Sequence, residues 1–270
     1  MTDRYAVIGN PIAHSKSPQI HAQFAAQTGQ NLQYEKLLAP LDGFATTVGQ
    51  FRAEGGRGLN ITVPFKLEAA QYASRLTPAA QQAGAVNTLI FSGAEVLGDN
   101  TDGVGLVRDL TRNLQQLLQG RRILLLGAGG AARGVLQPLL DQQPAVLALA
   151  NRTVEKAQAL VALFAGKIQA SGFAALAGQQ FDVVINATAS SLQDEAPPLP
   201  AGIYAADALA YDMMYAAQPT AFMRAAQAAG ATHVSDGLGM LVEQAAQSFY
   251  LWRGVRPETA AVLAELRGQI

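Results

Sequence analysis

The stretch "ILLLGAGGAARGVLQPLL", residues 123–140, reads as a buried strand, a glycine turn and a helix. Gly127, Gly129 and Ala132 fit the pattern G-x-G-x-x-G/A. The first glycine permits a tight turn, the second lets backbone approach a pyrophosphate, and the small third residue lets the helix pack close to the strand. The helix N-terminus offers free N–H groups and a positive dipole end to phosphate. The bare pattern is common; the strand before it and the helix after it give it weight.

The next apolar run ends in "LALANRTVEK", residues 147–156. In many dinucleotide-binding chains an acid about 20 residues beyond the turn holds the adenine ribose. Here no acid stands there, and Arg152 does. A guanidinium can grip a 2′-phosphate through two parallel charge-assisted hydrogen bonds. Asn151 and Thr153 can add neutral ones, and Lys156 supplies a second cation if the next helix begins at Thr153. One charge-assisted bond of ~1.5–3 kcal/mol corresponds to roughly a tenfold to hundredfold preference for NADP over NAD. Without the glycine turn, Arg152 and Lys156 read as surface cations and Thr153 as an ordinary helix cap.

The chain has 270 residues, enough for one large domain or two modest ones. Half the residues are hydrophobic and 14% are charged, which argues against disorder. A formal net charge of −1 gives no bulk attraction to nucleic acid or anionic membrane, so any anion site must be built locally. There is no cysteine, which removes disulfides and thiolate chemistry. His14, His21 and His233 show no ligand spacing, so no metal is expected; His21 reads as helix packing and His14 as loop structure. With no leader-like opening and no run approaching the ~18 apolar residues of a membrane helix, a soluble cytoplasmic protein is expected.

Around the glycine turn the chain reads as two β/α series. In the first, strands are expected at 5–10, 34–39, 58–63, 85–91 and 95–100, the last two joined by a hairpin at "SGA". A helix is expected at 17–29, with Ser17 as N-cap, Pro18 at its first position and Gly29 past its end. The segment 101–119 predicts a helix that starts after Asp102, stops at Gly120 and bridges two domains. From Arg121 strands alternate with helices, which argues for parallel pairing through right-handed crossovers. A further helix is expected over 240–255.

Three polar clusters interrupt the first series. "GNPIAHSKSP" places Ser15 and Ser17 before a helix, where capping is the plain reading. In "NITVPFK", Asn60 and Thr62 share one face of a strand, Pro64 stops the ladder, and Lys66 follows at the strand end. In "AVNTL…GDNTDG", Asn87 lies in or at the end of a strand and Asp102 reads as an N-cap. Together they suit other chemistry. Oxidation of an alcohol by hydride transfer needs a positioned group to take the hydroxyl proton. A lysine oriented by a carboxylate can do this, and Ser, Thr and Asn suit a polyhydroxylated substrate.

"GNPIAHSKSP", "NITVPFK", "GAVNTL", "GDNTDG", "GAGGAA", "NRTVEK" and "DGLGMLVEQAA" run in order over nearly the whole chain. Together they resemble the shikimate dehydrogenase family of the bacterial biosynthetic type. The resemblance implies an α/β protein of two domains with a cleft between: residues 1–102 plus 238–270 for substrate, and a Rossmann-type NADP domain at 103–237. It implies NADPH-dependent, reversible reduction of 3-dehydroshikimate to shikimate, a step of aromatic amino acid biosynthesis. Lys66 and Asp102 would be the catalytic pair. Ser15, Ser17, Asn60, Thr62, Asn87, Tyr215 and Gln244 would bind the substrate, with Tyr215 near its carboxylate. Gly127, Ala128, Gly129, Gly130, Ala131, Asn151, Arg152, Thr153, Lys156 and Thr188 would bind NADP, and Met213 and Gly237 would line the nicotinamide site. One departure stands out: the family's Asn-Ala-Thr-Ser with a nearby glycine is here "NATASSLQDE", with Ala189 and no glycine.

Two other readings stay open. A quinate/shikimate dehydrogenase would use NAD, against which the missing acid argues. A non-catalytic dinucleotide-binding regulator would have no need of Lys66 and Asp102 together. The expected partner is a small-molecule substrate, with no nucleic acid and no membrane, in a monomer or homodimer.

Overall fold

The computed structural model describes residues 2–164 and 166–270. The chain forms two compact units, Met1–Gly105 with Leu241–Gln269, and Leu106–Met240 with the terminal Ile270. The first series comprises β1 (Asp3–Gly9), α1 (Ser17–Thr28), β2 (Leu32–Leu38), α2 (Phe44–Ala53), β3 (Gly56–Ile61), α3 (Lys66–Tyr72), β4 (Arg75–Leu76), α4 (Pro78–Ala83), β5 (Thr88–Ser92), β6 (Glu95–Asp99) and α5 (Asp102–Arg108). The second comprises β7 (Arg122–Leu126), α6 (Gly130–Leu140), β8 (Val146–Ala150), α7 (Val154–Val161), β9 (Gln169–Ser171), β10 (Phe181–Asn186), β11 (Tyr204–Asp212), α8 (Ala221–Ala228) and β12 (His233–Ser235). Two helices close the chain, α9 (Leu238–Arg253) and α10 (Ala260–Gly268).

In the first unit the sheet order is β2-β1-β3-β5-β6-β4. β2, β1 and β3 are parallel, while β5 runs antiparallel to both β3 and β6. Asn60 pairs with Thr88, and Thr88 with Asp99. The carboxyl ends of β3 and β6 and the start of β5 therefore share one edge of the sheet. That edge carries Lys66, Asn87 and Asp102. Gly58 lacks the Cβ that would collide with Trp252 of α9, whose Nε1 donates to Leu89 O at 3.0 Å.

The second unit has the order β9-β8-β7-β10-β11-β12, all parallel. Counted from β7 this is 3-2-1-4-5-6, the doubly wound order in which ligands bind beyond the strand carboxyl ends where the winding reverses, here between β7 and β10. Side chains alternate across the sheet. Ile123, Leu125, Leu147, Leu149, Val183 and Ile185 enter one core, and Leu124, Leu126, Ala148, Ala150 and Val184 the other. Two covered faces explain why β7 is apolar without interruption from Ile123 to Leu126.

Three local expectations need correction. Ser17 is the first residue of α1, not its cap; Lys16 precedes it in a helical conformation, and the Ser15 hydroxyl accepts from Ser17 N at 3.3 Å. Lys66, expected to follow directly at the strand end, opens helix α3 instead, because β3 stops at Ile61 and the chain turns through Thr62 to Phe65. The bridging helix begins with Asp102 and is α-helical only to Arg108; 109–113 widen into a π-turn, and Gln115 is left-handed at φ +53°. Gly29, as expected, ends α1 at φ +64°.

Candidate functional site

In the first unit, Lys66 Nζ donates to Asp102 Oδ2 at 2.5 Å. The carboxylate is the more deeply buried partner, its side chain 6% exposed against 19% for the lysine. Asp102 is not a cap. Its other oxygen accepts from Asn87 Nδ2 at 2.8 Å, and its own N–H donates to Asn100 Oδ1. The pair is thus a cation held by an oriented anion, with the amine as the accessible member. Gln244 Oε1 faces Asn87 Nδ2 at 3.3 Å and Thr101 Oγ1 at 3.4 Å.

Asn60 is buried at the end of β3. Its Oδ1 accepts from Tyr34 Oη at 2.7 Å, and its Nδ2 faces Ser248 Oγ, Thr88 Oγ1 and Asn87 O. Thr62 lies past the strand end, where its methyl group fills the space a Cβ on Gly9 would need. Ser15 and Ser17 follow β1. The sequence reading missed Tyr34, Thr88, Thr101 and Ser248, which lie behind these residues. The one signal for Ser248 is its place four residues after Gln244 on the same helix. His21, expected as helix packing, is fully buried, stacks on Tyr34 at 4.2 Å between centroids, and has no hydrogen bond at either ring nitrogen.

In the second unit the candidates gather beyond the strand carboxyl ends: the glycine turn after β7, Asn151 after β8, Thr188 after β10, Met213 after β11 and Gly237 after β12. Gly127 sits at φ +104°, and a Cβ there would lie 3.0 Å from Thr188 Cγ2. Gly129 is exposed, with open space where a Cβ would stand, and no side chain caps the first turn of α6. Ala128, Gly130 and Ala131 complete the turn. Thr153 precedes α7, so Arg152 and Lys156 stand at its start; both are exposed, and among the described residues neither pairs with a carboxylate. Asn151 Nδ2 donates to Thr153 O at 2.8 Å and fixes that turn. An uncovered glycine edge, an uncapped helix start and two free cations are the features a phosphate-bearing dinucleotide requires.

Gly237 packs against the Met213 backbone, where a Cβ has no room, and its N–H donates to Met214 O at 2.9 Å. Tyr215 belongs to this unit, unlike the other substrate candidates; burial, with Asp236 nearby, pushes its phenol up. The glycine-free "NATASS" loop is held by Asp212, which accepts from Asn186 Nδ2, Ser191 Oγ, Thr220 Oγ1 and Met214 N. Burial raises the Asp212 pKa despite these donors. Asp194 takes the left-handed position at φ +55° that a glycine would ordinarily fill.

Among the described residues no helix is long and apolar enough to cross a membrane, and no cluster of three or more His, Asp or Glu could hold a metal ion.

A doubly wound unit with an open glycine turn, in a chain whose other unit bears a lysine–carboxylate pair, defines a dinucleotide-binding α/β protein of the dehydrogenase class. Family models sharpen this: the shikimate dehydrogenase substrate binding domain matches residues 7–89, shikimate / quinate 5-dehydrogenase 109–193, and the shikimate 5′-dehydrogenase C-terminal domain 237–267. The chain belongs to the shikimate dehydrogenase family. It is 64% identical to the shikimate dehydrogenase (NADP(+)) of Aromatoleum aromaticum, over 99% of this chain and 98% of the relative. Among solved structures, an Ael1 enzyme from Pseudomonas putida superposes with TM-score 0.92 at 49% identity, covering 98% of each chain. A shikimate 5-dehydrogenase from Thermus thermophilus, in complex with NADP(H) and shikimate, superposes with TM-score 0.89 at 33% identity over 100% of both chains.

Proposed function

We propose that this chain catalyses the reversible, NADPH-dependent reduction of 3-dehydroshikimate to shikimate, with Lys66 and Asp102 as its catalytic pair. The carrying observation is the Lys66–Asp102 contact, with Asn87 on the free carboxylate oxygen. The relatives' names supply the substrate; the residues supply the chemistry.

Bound NADPH supplies the hydride. As the ketone carbon accepts it, negative charge grows on the carbonyl oxygen. The Lys66 ammonium stabilises that charge and donates the proton, then regains one from solvent through its exposed fraction. Asp102 keeps the amine in position and is itself kept in position by Asn87. In the oxidative direction the same amine takes the hydroxyl proton. Ser15 and Ser17 suit the substrate's carboxylate. Thr62, Asn87 and Gln244 suit its hydroxyls, to which Asn60 adds the remaining lone pair of Oδ1. Tyr215 is assigned to the carboxylate. On the cofactor side, the residues from Gly127 to Ala131 would hold the pyrophosphate, and Arg152 and Lys156, with Asn151 and Thr153, would hold the 2′-phosphate. Thr188 would contact the cofactor, and Met213 and Gly237 would line its nicotinamide. By this reading the unit with β1–β6 is the substrate domain and the unit with β7–β12 the cofactor domain.

The test is direct. Reduction of NADP followed spectrophotometrically should proceed with shikimate, and far more slowly with quinate or with NAD. Tight NADPH binding without turnover on either acid would return the protein to the class of dinucleotide-binding regulators.

A further inference from the structure

The structure assigns Ser248 as a positioning residue for substrate recognition: its hydroxyl fixes the amide of Asn60 and, through Thr88, the amide of Asn87. The inference rests on reading the first unit as the shikimate site, and it concerns residues that act through others rather than by touching the substrate.

Donor accounting carries it. The backbone N–H of Thr101 donates to Asn87 Oδ1 at 2.9 Å. An N–H cannot accept, so this bond fixes which end of the Asn87 amide is oxygen. Asn87 Nδ2 then faces Asp102 Oδ1 at 2.8 Å and Thr101 Oγ1 at 2.9 Å. Thr88 Oγ1 donates its single proton to Asn87 Oδ1 at 2.9 Å. Having donated, it can only accept, from Ser248 Oγ at 2.8 Å and Asn60 Nδ2 at 3.2 Å. Asn60 Nδ2 also donates to Ser248 Oγ at 3.0 Å, while Asn60 Oδ1 takes the Tyr34 hydroxyl at 2.7 Å. Ser248 therefore joins both amides.

Burial gives the link its force. Ser248 and Thr88 are 0% exposed, and Asn87 is 2% exposed. No solvent reaches these groups to replace a lost partner, so a lost hydroxyl leaves a buried donor or acceptor unpaired and the amide it held less firmly placed. Thr101 N and Asn87 O still set which end of each amide is oxygen. Ser248 also lies one turn beyond Gln244 on α9, and the Gln244 carbonyl oxygen at 3.1 Å competes with the nearer Thr88 Oγ1 at 2.8 Å for the single Ser248 hydroxyl proton. The closing helix thus does two things at this site: Gln244 faces it, and Ser248 holds its floor.

The experiment uses the full chain and initial rates of shikimate oxidation with NADP. Ser248→Ala is expected to raise KM for shikimate by about tenfold, the loss of one buried hydrogen bond, with a smaller change in kcat and KM for NADP within about twofold. Thr88→Val removes the next hydroxyl with little change of shape and should raise KM alike; Thr88→Ser should restore it. The double variant should be no worse than the poorer single one, because both break one chain of bonds. Unchanged KM for shikimate in both single variants, additive losses, or an equal rise in KM for NADP would overturn the assignment. Should Ser248→Ala fail to fold, the Thr88→Val and Thr88→Ser pair decides it. The wild type separates the two readings: without shikimate turnover both fall, whereas turnover with unaffected variants removes Ser248 alone.

Discussion

Lys66 and Asp102 meet through one carboxylate oxygen at 2.5 Å, and Asn87 holds the other at 2.8 Å. The carboxylate is therefore committed on both sides, and the amine is the member left to meet a substrate. Lys66→Ala should lower kcat by about 10²–10⁴, the range for loss of a positioned acid–base group. NADPH affinity, read by fluorescence titration, should be unchanged. Near-normal turnover would remove Lys66 from the chemistry.

Arg152 lies exposed at the start of α7, and among the described residues it has no ion-pair partner, so its removal breaks no ion pair there. Arg152→Ala should weaken NADPH by roughly tenfold to a hundredfold and leave NADH nearly unaffected. Titration with both nucleotides checks this. An equal loss for the two would show that the guanidinium does not read the 2′-phosphate.

The two glycines of the turn separate strain from ligand contact. Gly127→Ala places a Cβ at φ +104° and 3.0 Å from Thr188, so the fold itself should lose about 1–3 kcal/mol. At Gly129 the φ of −86° suits any residue and the Cβ would stand in open space. Gly129→Ala should therefore keep the thermal midpoint while weakening NADPH. If Gly129→Ala bound NADPH as well as the wild type, backbone approach to the pyrophosphate at this position would be ruled out.

What the sequence made legible follows the range of the forces involved. The strand–turn–helix at 123–140 is set by local steric and packing rules, and its strand alternates correctly into two cores. The helix predicted to run to 119 fails for a tertiary reason. Leu114 and Leu118 pack against the same core as Leu106 and Leu110, so the apolar spacing continues after the helix has ended. Ser17 looked like a cap because serine before Pro-x-x is a good one, yet the turn begins one residue earlier. In the first unit the Lys66, Asn87 and Asp102 motifs were readable through the family pattern. Thr88 and Ser248 were not, because a small hydroxyl residue beside apolar neighbours is indistinguishable from a small core residue until its partners arrive from distant segments; Thr101 lay within the polar stretch "GDNTDG" and was passed over for its neighbour Asp102.

His21 supplies a pH-dependent test of the first unit's stability. Its ring is fully buried among Tyr34, Phe24, Phe249 and Trp252, with no hydrogen bond at either nitrogen. Burial lowers its pKa from 6.5 to about 3, with nearby Asn60 opposing only in part. The unfolded chain therefore binds one more proton than the folded one between those two values. The sign follows: the stability is whole above the unfolded pKa and drains away as pH falls from there toward the folded one, at ~1.4 kcal/mol per pH unit. Between about pH 7 and pH 5 the loss should reach ~2 kcal/mol. His21→Phe keeps an aromatic ring on Tyr34 and removes the titrating group. Urea unfolding of both proteins at the two pH values isolates the difference. The wild type should lose ~2 kcal/mol more than the variant over that interval; parallel losses would mean that His21 is protonated, or solvated, in the native protein.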